Sequence, residues 1–139
     1  MSKINLGRVV MGGLLAGLII NVFEYVLNGV VLADQWQALM AAMNKPMIGM
    51  TEIIWFNVFG FLLGIVAVWT YAAIRPRFGA GVKTAVYAAL LTWVTAYVFC
   101  NAMSTISGMF SMQLTLTLVG VGLVEIIVAT IAGAWLYKE

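Results

Sequence analysis

The stretch LTLTLVGVGLVEIIVATIAGAWL, residues 114–136, decides the fold. It is longer than the roughly 20 apolar residues a helix needs to cross the hydrocarbon core of a bilayer. Glu125 is its one charged residue. In lipid every backbone polar group must be paired within the protein, and the run lacks the short alternating segments separated by turns that build a membrane barrel. It reads as a transmembrane helix. Working outward, residues 9–32, 53–74 and 82–103 qualify in the same way. The expected fold is all-α: a polytopic membrane protein with a four-transmembrane-helix bundle forming a single domain over residues 1–139, either a plain bundle or two helical hairpins.

Composition excludes the other classes. Of 139 residues 64% are hydrophobic and 9% charged, and the mean hydropathy is +1.07. A soluble domain is about half apolar and about a quarter charged. Folding cannot hide this excess of apolar surface inside so short a chain. Two prolines, one cysteine and seven basic residues argue against disorder, a disulfide scaffold and nucleic acid as a partner. The bilayer is the expected solvent.

Residues 9–32 resemble a secretory signal, with Lys3 and Arg8 ahead of them and Val31-Leu32-Ala33 as a small-residue site. The run exceeds the ~7 to 15 residues of a signal core, and Asn21, Glu24 and Asn28 interrupt it, so the first helix is expected to stay in the mature protein. Lys3, Arg8, Arg75, Arg77, Lys83 and Lys138 flank one side of the four spans, and Lys45 alone flanks the other. Basic residues concentrate beside the cytoplasm. This predicts a multi-pass protein of the bacterial inner membrane with both termini cytoplasmic. Arg75-Pro76-Arg77 is expected to end the second span, because proline disfavours helical geometry in the residue before it.

Two local patterns bear on organisation. Ile65-Val-Ala-Val-Trp69-Thr-Tyr71 and Ile131-Ala-Gly-Ala-Trp135-Leu-Tyr137 end the second and fourth spans alike, which fits either a duplicated hairpin or the general preference of Trp and Tyr for the membrane interface. In the outer connection, Asp34 is expected to cap a short helix over residues 35–45 carrying Trp36, Met40 and Met43 on one face, with Pro46 ending it. Such a segment lies on the membrane surface or folds over the bundle mouth.

Gly13, Gly17, Asn21, Glu24 and Asn28 recur every three or four residues, which places them on one face of the first helix. The glycines, like Gly60 and Gly64 of the second, suit close helix packing. Glu24 is different. A charged side chain at the bilayer centre costs about 3 kcal/mol even on lenient scales, so an intramembrane acid points to function or to a specific interhelical bond. Glu125 is the second such acid, sharing its face with Gly122, Ala129 and Gly133, and no Lys, Arg or His lies in the spans to pair either one. Asn28, Asn57, Thr95, Tyr97, Asn101 and Thr117 fall toward the outer half, fitting either a polar cavity or interhelical hydrogen bonds. Glu24, Glu125, Asn21, Asn28, Asn57 and Asn101 are therefore the candidate ligand- or proton-binding residues. Glu52 reads as a helix N-terminal charge at the water interface.

Met40, Met43, Met47, Met50, Met103, Met109 and Met112 lie on or near the outer loops, with Cys100 close by. Soft thioether and thiol ligands select Cu(I), which makes Met40, Met43, Cys100 and Met103 the soft-metal candidates. Methionine is equally an apolar filler suited to interfacial segments. With no histidine, no P-loop and no partner to activate Cys100, neither catalysis nor a cofactor is expected.

On Phe23-Glu24-Tyr25, Trp36 and Gly133-Ala134-Trp135, the chain resembles a bacterial family of uncharacterised small four-helix integral membrane proteins, a domain family of unknown function. The resemblance spans nearly the whole chain and implies four helices and bacterial origin, but no activity. The family's Tyr-His pair in the last helix has no counterpart here, where Gly122-Leu123 or a nearby position stands. The leading expectation is a non-enzymatic membrane protein that binds or passes a small molecule or proton around Glu24 and Glu125, as a homo-oligomer. The alternatives are an accessory subunit of a larger membrane complex and an outer methionine face that handles Cu(I).

Overall fold

Glycine and alanine decide how closely the helices approach. In lipid there is no hydrophobic drive between helices, so association depends on van der Waals contact between backbones that small residues let come close. A computed structural model describes residues 3–138 and contains helices and loops only, with no strand among the described residues. The elements are α1 (Leu6–Val31), α2 (Ala33–Ala42), α3 (Met50–Phe78), α4 (Val82–Ile106) and α5 (Met112–Leu136). All but α2 are long and apolar enough to cross a membrane.

α3 runs past its expected span at both ends, α4 only at its second end and α5 only at its first, while α1 begins earlier, at Leu6, and stops at Val31, one residue short. The second span does not stop at Arg75-Pro76-Arg77. α3 carries Pro76 inside its last turn and ends at Gly79, whose φ of 85° is accessible to glycine at little cost.

α1 crosses α3 at a four-glycine contact. A Cβ on Gly17 would lie 2.6 Å from the Phe61 Cα, and one on Gly64 would lie 2.8 Å from the Gly17 Cα. α1 meets α5 through Gly12 and Gly133, where a Cβ on Gly133 would lie 2.6 Å from the Gly12 carbonyl oxygen. Ala16, Ile20, Ala67, Ala88, Ile126 and Ala129 fill the buried core between these crossings. Leu14, Leu18, Leu62, Val66, Val124 and Val128 point outward and form the belt a bilayer would cover.

The two ends of the bundle differ. The four long helices alternate in direction, so Lys3, Arg8, Arg75, Arg77, Lys83 and Lys138 gather at one end. There Tyr71 and Tyr137, one from each of the similar helix ends, pack edge to face at 6.0 Å. The Tyr137 hydroxyl accepts from the Asn5 N–H (3.3 Å), and the Tyr71 hydroxyl accepts from the Gly81 N–H (3.2 Å). The Arg75 guanidinium lies over the Tyr137 ring at 5.5 Å. Trp69 and Trp135 stay exposed on the outside.

At the opposite, loop end the helices spread. α3 approaches α1, α5 and the first half of α4, but among the described residues it does not approach the second half of α4, residues 94–106. α2 bridges this end, and among the described residues its backbone comes close to the bundle helices only at the last turn of α1. Asp34 does not cap it. Leu32 occupies the cap position with no side-chain bond, and Asp34 lies exposed in the first turn, where the helix dipole favours an anion. Nor does Pro46 end α2. The helix stops at Ala42, and the chain reverses through Asn44 at φ 53°, a left-handed conformation that asparagine tolerates better than most residues.

Candidate functional site

The spread at the loop end leaves a cavity of about 870 Å³ between α1, α3 and the second half of α4, roofed by α2. Its walls are mainly apolar. Asn21, Glu24, Asn28, Asn57 and Asn101 all line it. Glu125 does not line the cavity: its side chain is fully buried, with 0% exposure, directly behind the Tyr97 ring that forms part of the wall.

Two π-helical turns set the side-chain directions. At Leu27–Val31 the Leu32 N–H reaches back five residues to the Leu27 carbonyl (2.8 Å), and at Val94–Val98 the Phe99 N–H does the same to Val94. Such wide turns shift the register of the residues around them and recur at functional sites. Here they carry Asn28 and Tyr97.

A hydrogen-bonded chain runs from the roof to the floor. The Trp36 Nε1–H donates to Asn28 Oδ1 (2.9 Å), and Asn28 Nδ2 donates to Glu24 Oε2 (2.5 Å). The Glu24 carboxyl group faces that of Glu125 across the α1–α5 contact. On the far side the Tyr97 hydroxyl donates to Glu125 Oε1 at 2.7 Å. Glu125 Oε2 is buried with no N–H donor beside it, and a proton held by either acid would join it to Glu24. The Tyr97 ring reaches Glu125 because Gly122, one turn earlier on α5, presents no side chain: a Cβ there would overlap the ring.

The other amides are committed to the backbone. Asn21 Nδ2 donates to the Asn57 carbonyl (3.1 Å) from the space that a Cβ on Gly60 would fill. Asn57 Nδ2 donates to the Ile53 carbonyl (2.8 Å), and Asn101 Nδ2 donates to the Tyr97 carbonyl (2.8 Å). The single stripe expected along α1 therefore divides: Gly13, Gly17 and Asn21 meet α3, while Glu24 turns to α5.

The soft-metal candidates are not brought together. Met40 and Met43 line the roof, whereas Cys100 and Met103 are exposed and belong to no part of the lining. Among the described residues no group of three or more His, Cys, Asp or Glu side chains is arranged to hold a metal ion. Tyr97 is the site residue that inspection of polar spacing leaves unranked. The signal that points to it is Gly122, three positions before Glu125, a gap that an aromatic ring from a neighbouring helix can enter.

Near the basic end a second cavity of about 330 Å³ is walled chiefly by apolar residues such as Leu15, Ile131 and Trp135, and carries no acid. Comparison with protein-family models, with characterised proteins and with solved structures finds no match.

Proposed function

We propose that the chain is a non-enzymatic integral membrane protein that binds or passes a small molecule or proton at the loop-end cavity, around Glu24 in its wall and Glu125 buried behind it. The observation that supports this most directly is the cavity's composition. Its volume of about 870 Å³ lies within the ~300 to 1,000 Å³ of small-molecule sites, which are apolar concavities with a few converging polar groups. The carboxyls can hold or release a proton, and Asn28 and Trp36 connect Glu24 to the roof. No side chain of the lining has the makings of an activated nucleophile, which favours binding over catalysis.

The reading extends to a bacterial inner-membrane location with both termini cytoplasmic, supported by the six basic residues at one end, and to assembly as a homo-oligomer. Native mass spectrometry of the protein extracted in mild detergent tests it. A bound small molecule, lost on Glu24→Gln substitution, is the expected result. Recovery with a foreign polypeptide and no small molecule would replace this reading with that of an accessory subunit.

A further inference from the structure

We infer that the cavity's ligand is a lipophilic cation, an organic molecule whose ammonium or phosphonium-like head meets Glu24, with Glu125 buried behind it, while its apolar body packs against the aromatic walls. The inference rests on the ligand-binding reading above and specifies its chemistry.

The charge of the lining carries it. Each side-chain amide lining the cavity donates at least once to a protein oxygen, as does the Trp36 indole. The only ionisable carboxyl in the lining is Glu24, and behind it the fully buried Glu125 has an Oε2 with no N–H donor but with the Glu24 carboxyl group within reach. The lining contains neither lysine nor arginine. Two carboxyl groups facing each other in an apolar enclosure are tolerable only with positive charge or a proton between them. An anion would find no lysine or arginine to meet, and a neutral ligand, which the second amide N–H of Asn21, Asn57 and Asn101 could still serve, would leave the Glu24 charge unmatched.

The walls suit the same ligand. Trp36, Phe56, Phe59, Tyr97 and Phe110 line the cavity, and aromatic faces attract organic cations most strongly where water is excluded. The body need not cross water to enter. α3 stands apart from residues 94–106 of α4, and Phe56 and Phe59, which line the cavity from α3, keep more than half of their surface exposed, so the gap between the two helices leaves the cavity open to the side.

Three probes of similar body separate charge from size: tetraphenylphosphonium, neutral triphenylphosphine oxide and anionic tetraphenylborate. Equilibrium binding is measured on the full chain in lipid nanodiscs, with empty nanodiscs subtracted for partitioning. The expected result is saturable binding of the phosphonium, at least about tenfold tighter than the phosphine oxide, with no saturable binding of the borate. Glu24→Gln and Glu125→Gln, which keep shape while removing the ionisable group, should each weaken phosphonium binding by about tenfold or more and leave the phosphine oxide unchanged. Because the three-probe comparison uses the unaltered chain, it decides the question even if a variant does not fold. Equal binding of phosphonium and phosphine oxide would overturn the cation assignment and leave the cavity as a ligand site. No saturable phosphonium binding also overturns it, whatever native mass spectrometry shows.

Discussion

The Tyr97 hydroxyl donates to Glu125 Oε1 at 2.7 Å, and its ring rests against the one-residue gap in α5 at Gly122. The bond joins α4 to α5 at the depth where lipid offers no alternative partner, and it anchors one end of the carboxyl pair. Tyr97→Phe leaves a second Glu125 oxygen without a donor, for a loss of about 1 kcal/mol of stability. Combining it with Glu125→Leu should cost less than the sum of the two single changes, because the acid that needs the donor is gone. Thermal unfolding of the four proteins in one detergent measures the coupling, and strict additivity would show the bond to be energetically idle.

Glycines on the same helices should divide sharply. Gly64→Leu places a side chain where the Gly17 backbone runs, and no rotamer avoids a backbone collision; the variant should fail to give a monodisperse folded protein. Gly122→Ala meets only the Tyr97 ring, which can shift, at about 1 to 3 kcal/mol. Gly120 has nothing within 4 Å of its would-be Cβ, so Gly120→Ala should be neutral or stabilise α5 by up to ~1 kcal/mol. Size-exclusion profiles and melting temperatures check the order.

α2 is held to the bundle by few contacts: the Trp36–Asn28 bond, the edge-to-face contact of Trp36 with Phe110 at 5.6 Å, and a small cluster around Leu27, Leu32 and Leu114. Trp36→Phe keeps an aromatic ring but removes the indole donor. Loss of a bond worth about 1 kcal/mol should raise hydrogen exchange across residues 33–42 by about fivefold while residues 60–72 stay unchanged. A uniform rise would instead mean that Trp36 supports the whole fold.

A proton competes with a cationic ligand for the same carboxyls, so phosphonium affinity should fall as pH is lowered. The sign follows from charge alone: protonation removes the anion that attracts the ligand. Around Glu24, α5 contributes Glu125, α4 contributes Tyr97, and α2 and α3 turn no charged side chain into the lining. The Glu24→Gln/Glu125→Gln double variant should therefore bind the probe weakly and without pH dependence. A pH dependence retained in that variant would place the titrating group elsewhere.

The basic asymmetry predicts that the α2 end faces outward. In a Cys100→Ser background, Ser107→Cys should react with an impermeant maleimide on intact cells and Lys138→Cys should not, both positions being exposed. The opposite labelling pattern would invert the topology.

By itself the sequence determined the fold class and the spans. Four apolar runs near 20 residues leave the backbone no other way to satisfy its polar groups in lipid, and that constraint acts locally along each run. It also singled out Glu24 and Glu125, because a carboxyl group in an apolar run is conspicuous whatever surrounds it. Tertiary structure alone decided what those acids touch. Tyr97 reaches Glu125 through a gap at Gly122, α1 turns Asn21 to α3 and Glu24 to α5, and Cys100 and Met103 stay apart from Met40 and Met43. Each depends on the crossings of different helices and on two π-helical turns that shift register by one residue. The ends of α2 and α3 likewise passed to Asn44 and Gly79 instead of Pro46 and Pro76. A left-handed residue reverses the chain, whereas a proline in a last turn removes one donor and can be carried within the helix.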